Sequence, residues 1–329
     1  MNFEISPNIS LHVTCGAPEA ADIVVTLPTF RRPEHVRLTL QSLAAQNCAQ
    51  SVAVIVMDND ADNPVGADAA AIAMREFGMD GLVLIAHERG NCSAYNAGWS
   101  TALAKLPHWS FLCVIDDDEL ATPEWIAAHL ATLGKTGADI CGGPQRPVFD
   151  GGENSPHRNH PVFRPPYCAS GPVDALYSSG NLAIRRRVLE SMPQPFLDTR
   201  FNFLGGGDSD FLSRASQKGF VLAWSEEAVI NETIPARRLE WDWINARAIR
   251  NGVISTLVER RKRYDEPFGR LRIGLKSALL LLASPVRGLA TALRERSLAS
   301  GLYPAQVALG RIMAEFGYMN EQYRNADKN

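Results

Sequence analysis

The chain has 329 residues, 46% apolar and 21% charged, with 33 Lys/Arg against 36 Asp/Glu. These are globular proportions, enough for one large α/β domain with an appendage or for two domains, and six scattered cysteines without a C-x-x-C pair argue against a zinc or thiol-redox motif. Charge is unevenly spread. Residues 1–235 hold 16 Lys/Arg against 27 Asp/Glu, and residues 236–296 hold 14 against 6, so a basic segment suited to an anionic partner follows an acidic body.

The start, MNFEISPNIS, has neither the basic nor the apolar region of a secretory leader, and no apolar run reaches the ~20 residues of a spanning helix. A cytoplasmic protein is expected. The β-branched run DIVVTLP (22–28) reads as a strand. PEHVRLTLQSLAAQ (33–46) has helical apolar spacing, with Pro33 at the first helical position. A strand at 51–58, a helix at 66–77, a strand at 81–87, a helix at 93–106 and a strand at 110–116 follow. Thr122 and Pro123 then read as the cap and first residue of another helix. This alternation predicts an α/β fold with a mostly parallel sheet covered by helices, and ligands bound beyond the carboxyl ends of the strands. Residues 142–173 are Gly/Pro-rich and read as a long loop; 177–191 reads as a strand entering a helix, 203–220 as a Gly turn entering a helix, and the chain beyond 236 as helical and basic. The expected division is therefore residues 1–235 and 236–329.

FLCVIDDDEL places four carboxylates directly after an apolar strand. Strand alternation would bring Asp116 and Asp118 together and turn Asp117 away. Two converging carboxylates make a hard oxygen site for Mg²⁺ or Mn²⁺; a solvated acidic turn before the next helix is the alternative.

In order, LPTFRRP, VIVMDND, ERGNCSAYNAG, VIDDDE, SSGNLAIRRRVL and GGGDSDFLSRASQKG make residues 22–255 resemble the family-2 glycosyltransferases of GT-A fold. The longer tail, with ETIPARRLEWDWINARAIRNG, is most similar to the branch that builds bacterial exopolysaccharides, such as succinoglycan glucosyltransferases. The resemblance implies that Pro28, Thr29 and Arg31 or Arg32 cradle the nucleotide and that Asp58 takes the uracil, an Asx turn being the other reading of Asp58. It implies a donor-side contact at Asn96. Tyr95 stands where the family has Arg, with Arg89 as a substitute charge. Asp116 and Asp118 match the metal-binding motif, and Asp117 either contacts the ribose or faces solvent.

Asp208 matches the general base, with Asp210 as runner-up, and Gly207 stands where the family has Glu. A base on the face opposite the leaving group implies inversion at the anomeric carbon. Ser179, Gly180 and Asn181 match the acceptor-side motif, and Glu232 sits where relatives place a further ligand. Arg247 and Arg250, on a helix with Trp241 and Trp243, are similar to diphosphate-binding arginines. Residues 260–296 join basic residues to an apolar stretch of about ten residues, a pattern for a membrane interface; a hairpin packed on the catalytic domain or a second subunit is the alternative. The expected partners are a UDP-linked nucleotide-sugar donor and a glycan or polyprenyl-diphosphate-linked acceptor at the inner face of the cytoplasmic membrane, with no nucleic acid. A sugar-1-phosphate nucleotidyltransferase would need a Gly-rich loop that LPTFRRPEH lacks. A non-catalytic nucleotide- or glycan-binding protein is the remaining alternative.

Overall fold

The structure, a computed structural model, describes residues 6–151 and 154–318. Part of the N-terminal stretch read for a leader lies outside these residues. The described chain forms two compact units. The first runs to Gln145 and resumes over Tyr167–Glu232; the second comprises Arg146–Pro166 and the chain from Thr233.

In the first unit, β1 (Ile9–Cys15), β2 (Ile23–Thr29), α1 (Pro33–Ala44), β3 (Val52–Asp58), α2 (Val65–Glu76), β4 (Asp80–Ala86), α3 (Asn91–Lys105) and β5 (Phe111–Val114) come first. They are followed by β6 (Glu119–Ala121), α4 (Trp125–Thr136) and β7 (Ile140–Gly142). β8 (Gln145–Asp150) leads out of this unit. After the return come β9 (Gly171–Val173), β10 (Leu182–Arg185), α5 (Arg186–Ser191), α6 (Gly207–Gln217) and β11 (Leu222–Trp224), with β12 (Ile230–Pro235) leading out again.

The main sheet has nine strands in the order β1-β4-β3-β2-β5-β10-β7-β11-β9. The pairings make β2, β3, β4, β5, β7 and β11 run one way, with β1, β9 and β10 opposed. This is the mostly parallel α/β sheet that the alternation predicts. All seven residues of β2 are buried, as a central strand covered on both faces requires. Ile23, Val25, Leu27, Val54, Val56 and Trp125 join one core, each such burial stabilising the fold by about 1.5–3 kcal/mol. The register Thr29↔Asp58 and Thr26↔Val114 aligns the carboxyl ends of β2, β3 and β5.

Some elements differ from the sequence reading. β1 precedes the first predicted strand and pairs antiparallel at the sheet edge, where alternating burial leaves a weak pattern. Thr122 does not cap α4, which starts at Trp125; its hydroxyl donates to the Val229 carbonyl. The predicted loop 142–173 contains β8 and β9, and its residues 146–166 belong to the second unit.

The second unit is built on α7 (Trp241–Lys262), α8 (Gly269–Glu295) and α9 (Leu298–Glu315). Small residues set its close approaches: a Cβ at Gly310 would lie 2.0 Å from the Ile249 carbonyl, and one at Gly252 would lie 2.1 Å from that of Val307. Arg311, 2% exposed, ties the helices together through Ser277, Ser255 and Glu259. Trp243 stacks on Phe163, and Trp241 meets His157.

Candidate active site

Beyond Val114 the chain leaves the sheet and turns, Glu119 N–H donating to the Asp116 carbonyl at 3.3 Å. Strand alternation therefore stops before the acidic run. Asp117 is buried rather than solvent-facing: it accepts from the Thr29 hydroxyl at 2.8 Å and from Arg32 at 3.0 Å. Arg32 also reaches Asp118 at 3.3 Å. The expected nucleotide residues Thr29 and Arg32 thus hold the acidic turn, with Pro28 buried beside them in β2. Thr39, on α1, donates to the carbonyls of Asp117 and Glu119.

Asp116 accepts from the Tyr95 hydroxyl, while its N–H donates to Glu119 at 2.7 Å. Burial, with Asp118 next, pushes Asp116 up to about 7. Burial also drives Glu119 well above the usual carboxylate range, reinforced by Asp116, Asp118 and Glu232. Asp117 is raised by burial against the pull of Arg32. This is an excess of hard oxygen donors that favours a bound cation.

Among the described residues, no three His, Cys, Asp or Glu side chains gather closely enough to hold a metal unaided. Mg²⁺ is typically held by one or two carboxylates together with substrate phosphates, and the Asp116–Asp118 pair fits that donor set.

Asp208 sits in the first turn of α6, the partly positive end of the helix. One oxygen accepts from the Ser179 N–H at 3.0 Å and the other from its neighbour Ser209 N–H at 2.6 Å. The acid of the second constellation is thereby brought to the predicted acceptor segment.

Asp210 has a different environment. It is 1% exposed and ion-paired with Arg214 at 2.8 Å, and Arg214 also donates to the Phe196 carbonyl at 2.5 Å. That clamp fixes the start of α6, and Asp210 faces the protein interior. A Cβ at Gly207 would stand 2.4 Å from the Cys92 sulfur, so the Glu expected there has no room.

Other predicted contacts are occupied by the fold. Asp58 is fully buried; its oxygens accept from Asp60 N–H at 3.0 Å and from Ala67 N–H, in the first turn of α2, at 2.8 Å. It forms the Asx turn and anchors that helix, leaving no exposed edge for a base. Asn96 spends both ends of its amide on the Leu197 backbone. Asn181 is 2% exposed: it accepts from Trp125 and His129 and donates to the carbonyls of Pro144 and Ala228. It is a buried knot rather than an acceptor contact. Gly180 does meet a spatial demand, because a Cβ there would lie 2.5 Å from Glu119. Arg89 and Arg31 both lie over the Phe30 ring, and Arg31 pairs with Asp60. Arg247 and Arg250 lie on α7 of the second unit, and Arg250 is buried.

Glu119, Gln145, which donates to Glu119, and Thr39 escape sequence reasoning. Glu119 offered a signal as the fourth carboxylate of the run; the other two offered none.

Glycosyl transferase family 2 is the family whose model matches, over residues 24–192. The chain belongs to this family. It is 30% identical over 257 residues to the succinoglycan biosynthesis protein ExoM of Rhizobium meliloti, covering 75% of this chain and 74% of that one. It is 23% identical over 212 residues to the glycosyltransferase AglE of Haloferax volcanii, covering 63% and 65%. Its fold is similar to that of the mannosyltransferase PcManGT from Pyrobaculum calidifontis, whose structure contains GDP-Man and Mn²⁺ (TM-score 0.53, 15% identity, 92% and 90% covered). The transferase is thus an enzyme of GT-A-like fold that moves a glycosyl group from a nucleotide sugar to an acceptor.

Proposed function

We propose that this transferase is an inverting, metal-dependent hexosyltransferase that uses a UDP-sugar and extends a glycan carried on a polyprenyl diphosphate, at the inner face of the cytoplasmic membrane. The observation carrying the reading is the hydrogen bond from the Ser179 N–H to Asp208, which sets a carboxylate against the segment expected to meet the acceptor. Asp116 and Asp118 are the residues that would hold Mn²⁺ or Mg²⁺, with Arg32 orienting Asp118. A divalent ion there would stabilise the negative charge of the leaving diphosphate.

Asp208 is the general base. Its carboxylate takes the proton of an acceptor hydroxyl as that oxygen forms a bond to the anomeric carbon; the bond from that carbon to the nucleoside diphosphate breaks, and the electron pair leaves with the diphosphate. Attack opposite the leaving group inverts the anomeric configuration. Ser179 N–H keeps Asp208 aimed. Polysaccharide assembly as the context is supported by likeness to the succinoglycan protein.

The test is diphosphate release from a panel of sugar nucleotides with Mn²⁺. Release from a UDP-hexose, abolished by Asp208→Asn and by chelation, is expected. Full release by Asp208→Asn, or release indifferent to chelator, would sink the mechanism.

A further inference from the structure

We propose that the outer face of α8 lies in the plane of a bilayer containing anionic lipid, with its leucines among the acyl chains. This deepens the reading above by naming the surface that brings the enzyme to its acceptor. Its test is read without turnover, so the two can fail separately.

The helix is built inside out for a water-soluble hairpin. Toward its neighbours it turns Gly269, Ile273, Ser277, Ser284 and Gly288, all buried. A Cβ at Gly288 would lie 2.5 Å from the Gly301 carbonyl of α9, and one at Gly301 would lie 2.8 Å from the Ala292 Cβ. Small residues thus let the two backbones meet. Outward, Leu275, Leu279, Leu282, Val286, Leu289 and Leu293 are each 57–76% exposed. Their spacing alternates four and three, so they form one continuous row along the helix. In water the large apolar side chains should face the partner helix and the small polar ones the solvent. Small residues inside and leucines outside is the polarity of helices packed in lipid.

The same spacing fits the seam of a coiled coil with a second copy, and charge decides between the two. Residues 259–296 carry ten Lys/Arg against four Asp/Glu. Arg272, Lys276, Arg287 and Arg294 run along one flank of the leucine row. Three of them also touch acids: Arg272 pairs with Glu266, Lys276 with Glu259 and Arg294 with Glu295, yet the segment stays basic. A second copy would bring the same sign to the seam, whereas an anionic headgroup layer brings the opposite one.

α8 is also long and apolar enough to cross a membrane. Crossing would carry Lys276 and Arg287 into hydrocarbon, and α9, packed along α8, would bring Arg311 with it. Lying in the plane leaves the flank charges at the headgroups.

The full-length protein is sedimented with vesicles of phosphatidylcholine alone or mixed with phosphatidylglycerol. It is expected to pellet with the mixed vesicles, less so as salt rises, and to stay in solution with phosphatidylcholine alone. Leu282→Glu, with unchanged circular dichroism, is expected to weaken binding about ten- to hundredfold. Arg287→Gln is expected to weaken it about fivefold. Wild type left in the supernatant with both vesicle types, or Leu282→Glu binding as wild type does, overturns the proposal. So does a dimer that Leu282→Glu dissociates in the absence of vesicle affinity. Resistance to alkaline carbonate extraction from cell membranes would overturn the in-plane placement.

Discussion

The Tyr95 hydroxyl donates to the Asp116 carboxylate. Tyr95 is fully buried, on the first turns of α3, where the family resemblance calls for a charged residue. A neutral donor there holds the carboxylate in one orientation without cancelling its charge. Tyr95→Phe keeps the ring and deletes only the donor. It is expected to cost about 1–2 kcal/mol in denaturant unfolding. It should also raise the Mn²⁺ concentration for half-maximal turnover several-fold. An unchanged metal titration would show that Tyr95 is packing alone.

The two aspartates of α6 should separate by experiment. Asp210→Asn removes the charge of a buried carboxylate paired with the partly buried Arg214, so a stability loss of about 1–3 kcal/mol is expected, with near-normal kcat for the folded fraction. Asp208→Asn should leave the melting temperature nearly unchanged and lower kcat by about 10²–10⁴-fold. The reverse pattern would exchange their roles.

His129 gives a stability dependence on pH. Burial lowers it to about 4 from the ordinary 6.5, and its Nε2 sits 2.7 Å from Asn181 Oδ1. That amide oxygen only accepts, so the neutral ring carries its proton on Nε2. Between pH 6.5 and about 4 the unfolded chain binds this proton and the folded one does not. The contribution is therefore complete above pH 6.5 and is lost on acidification, reaching up to about 3 kcal/mol near pH 4. Urea midpoints across that range should fall for wild type and fall less for His129→Gln, each referred to its own value at pH 7.5. Parallel curves would assign the acid sensitivity elsewhere.

Gly207→Glu restores the residue the family pattern expects but drives its Cβ toward the Cys92 sulfur, 2.4 Å away. A loss of about 1–3 kcal/mol is expected. Cys92→Ala in the same chain should recover part of it, and the double-mutant cycle reads the coupling directly. Additive effects would mean that the clash is relieved by another route.

Much of the first unit is legible in the sequence because buried parallel strands are written as unbroken apolar runs. DIVVTLP, SVAVIVMD and GLVLIAH declare themselves without any knowledge of their neighbours. So does the abrupt change from FLCVI to DDDE, which marks where the sheet ends and charge begins. What each acid does there is not written locally. Asp58 closes β3 and Asp116 lies just beyond β5, yet the backbone N–H groups of Asp60 and Ala67 absorb the first, and a tyrosine 21 positions upstream meets the second. Asn181 reads as part of an exposed motif and becomes the centre of a buried network because Trp125, His129, Pro144 and Ala228 converge on it from three other segments. The amphipathic pattern of α8 likewise announces a two-faced helix, but not that glycine and serine form its inner face. A side chain's partners are set by which distant segments the chain folding brings within hydrogen-bond reach. Periodicity along the chain records burial and carries no record of those long-range encounters.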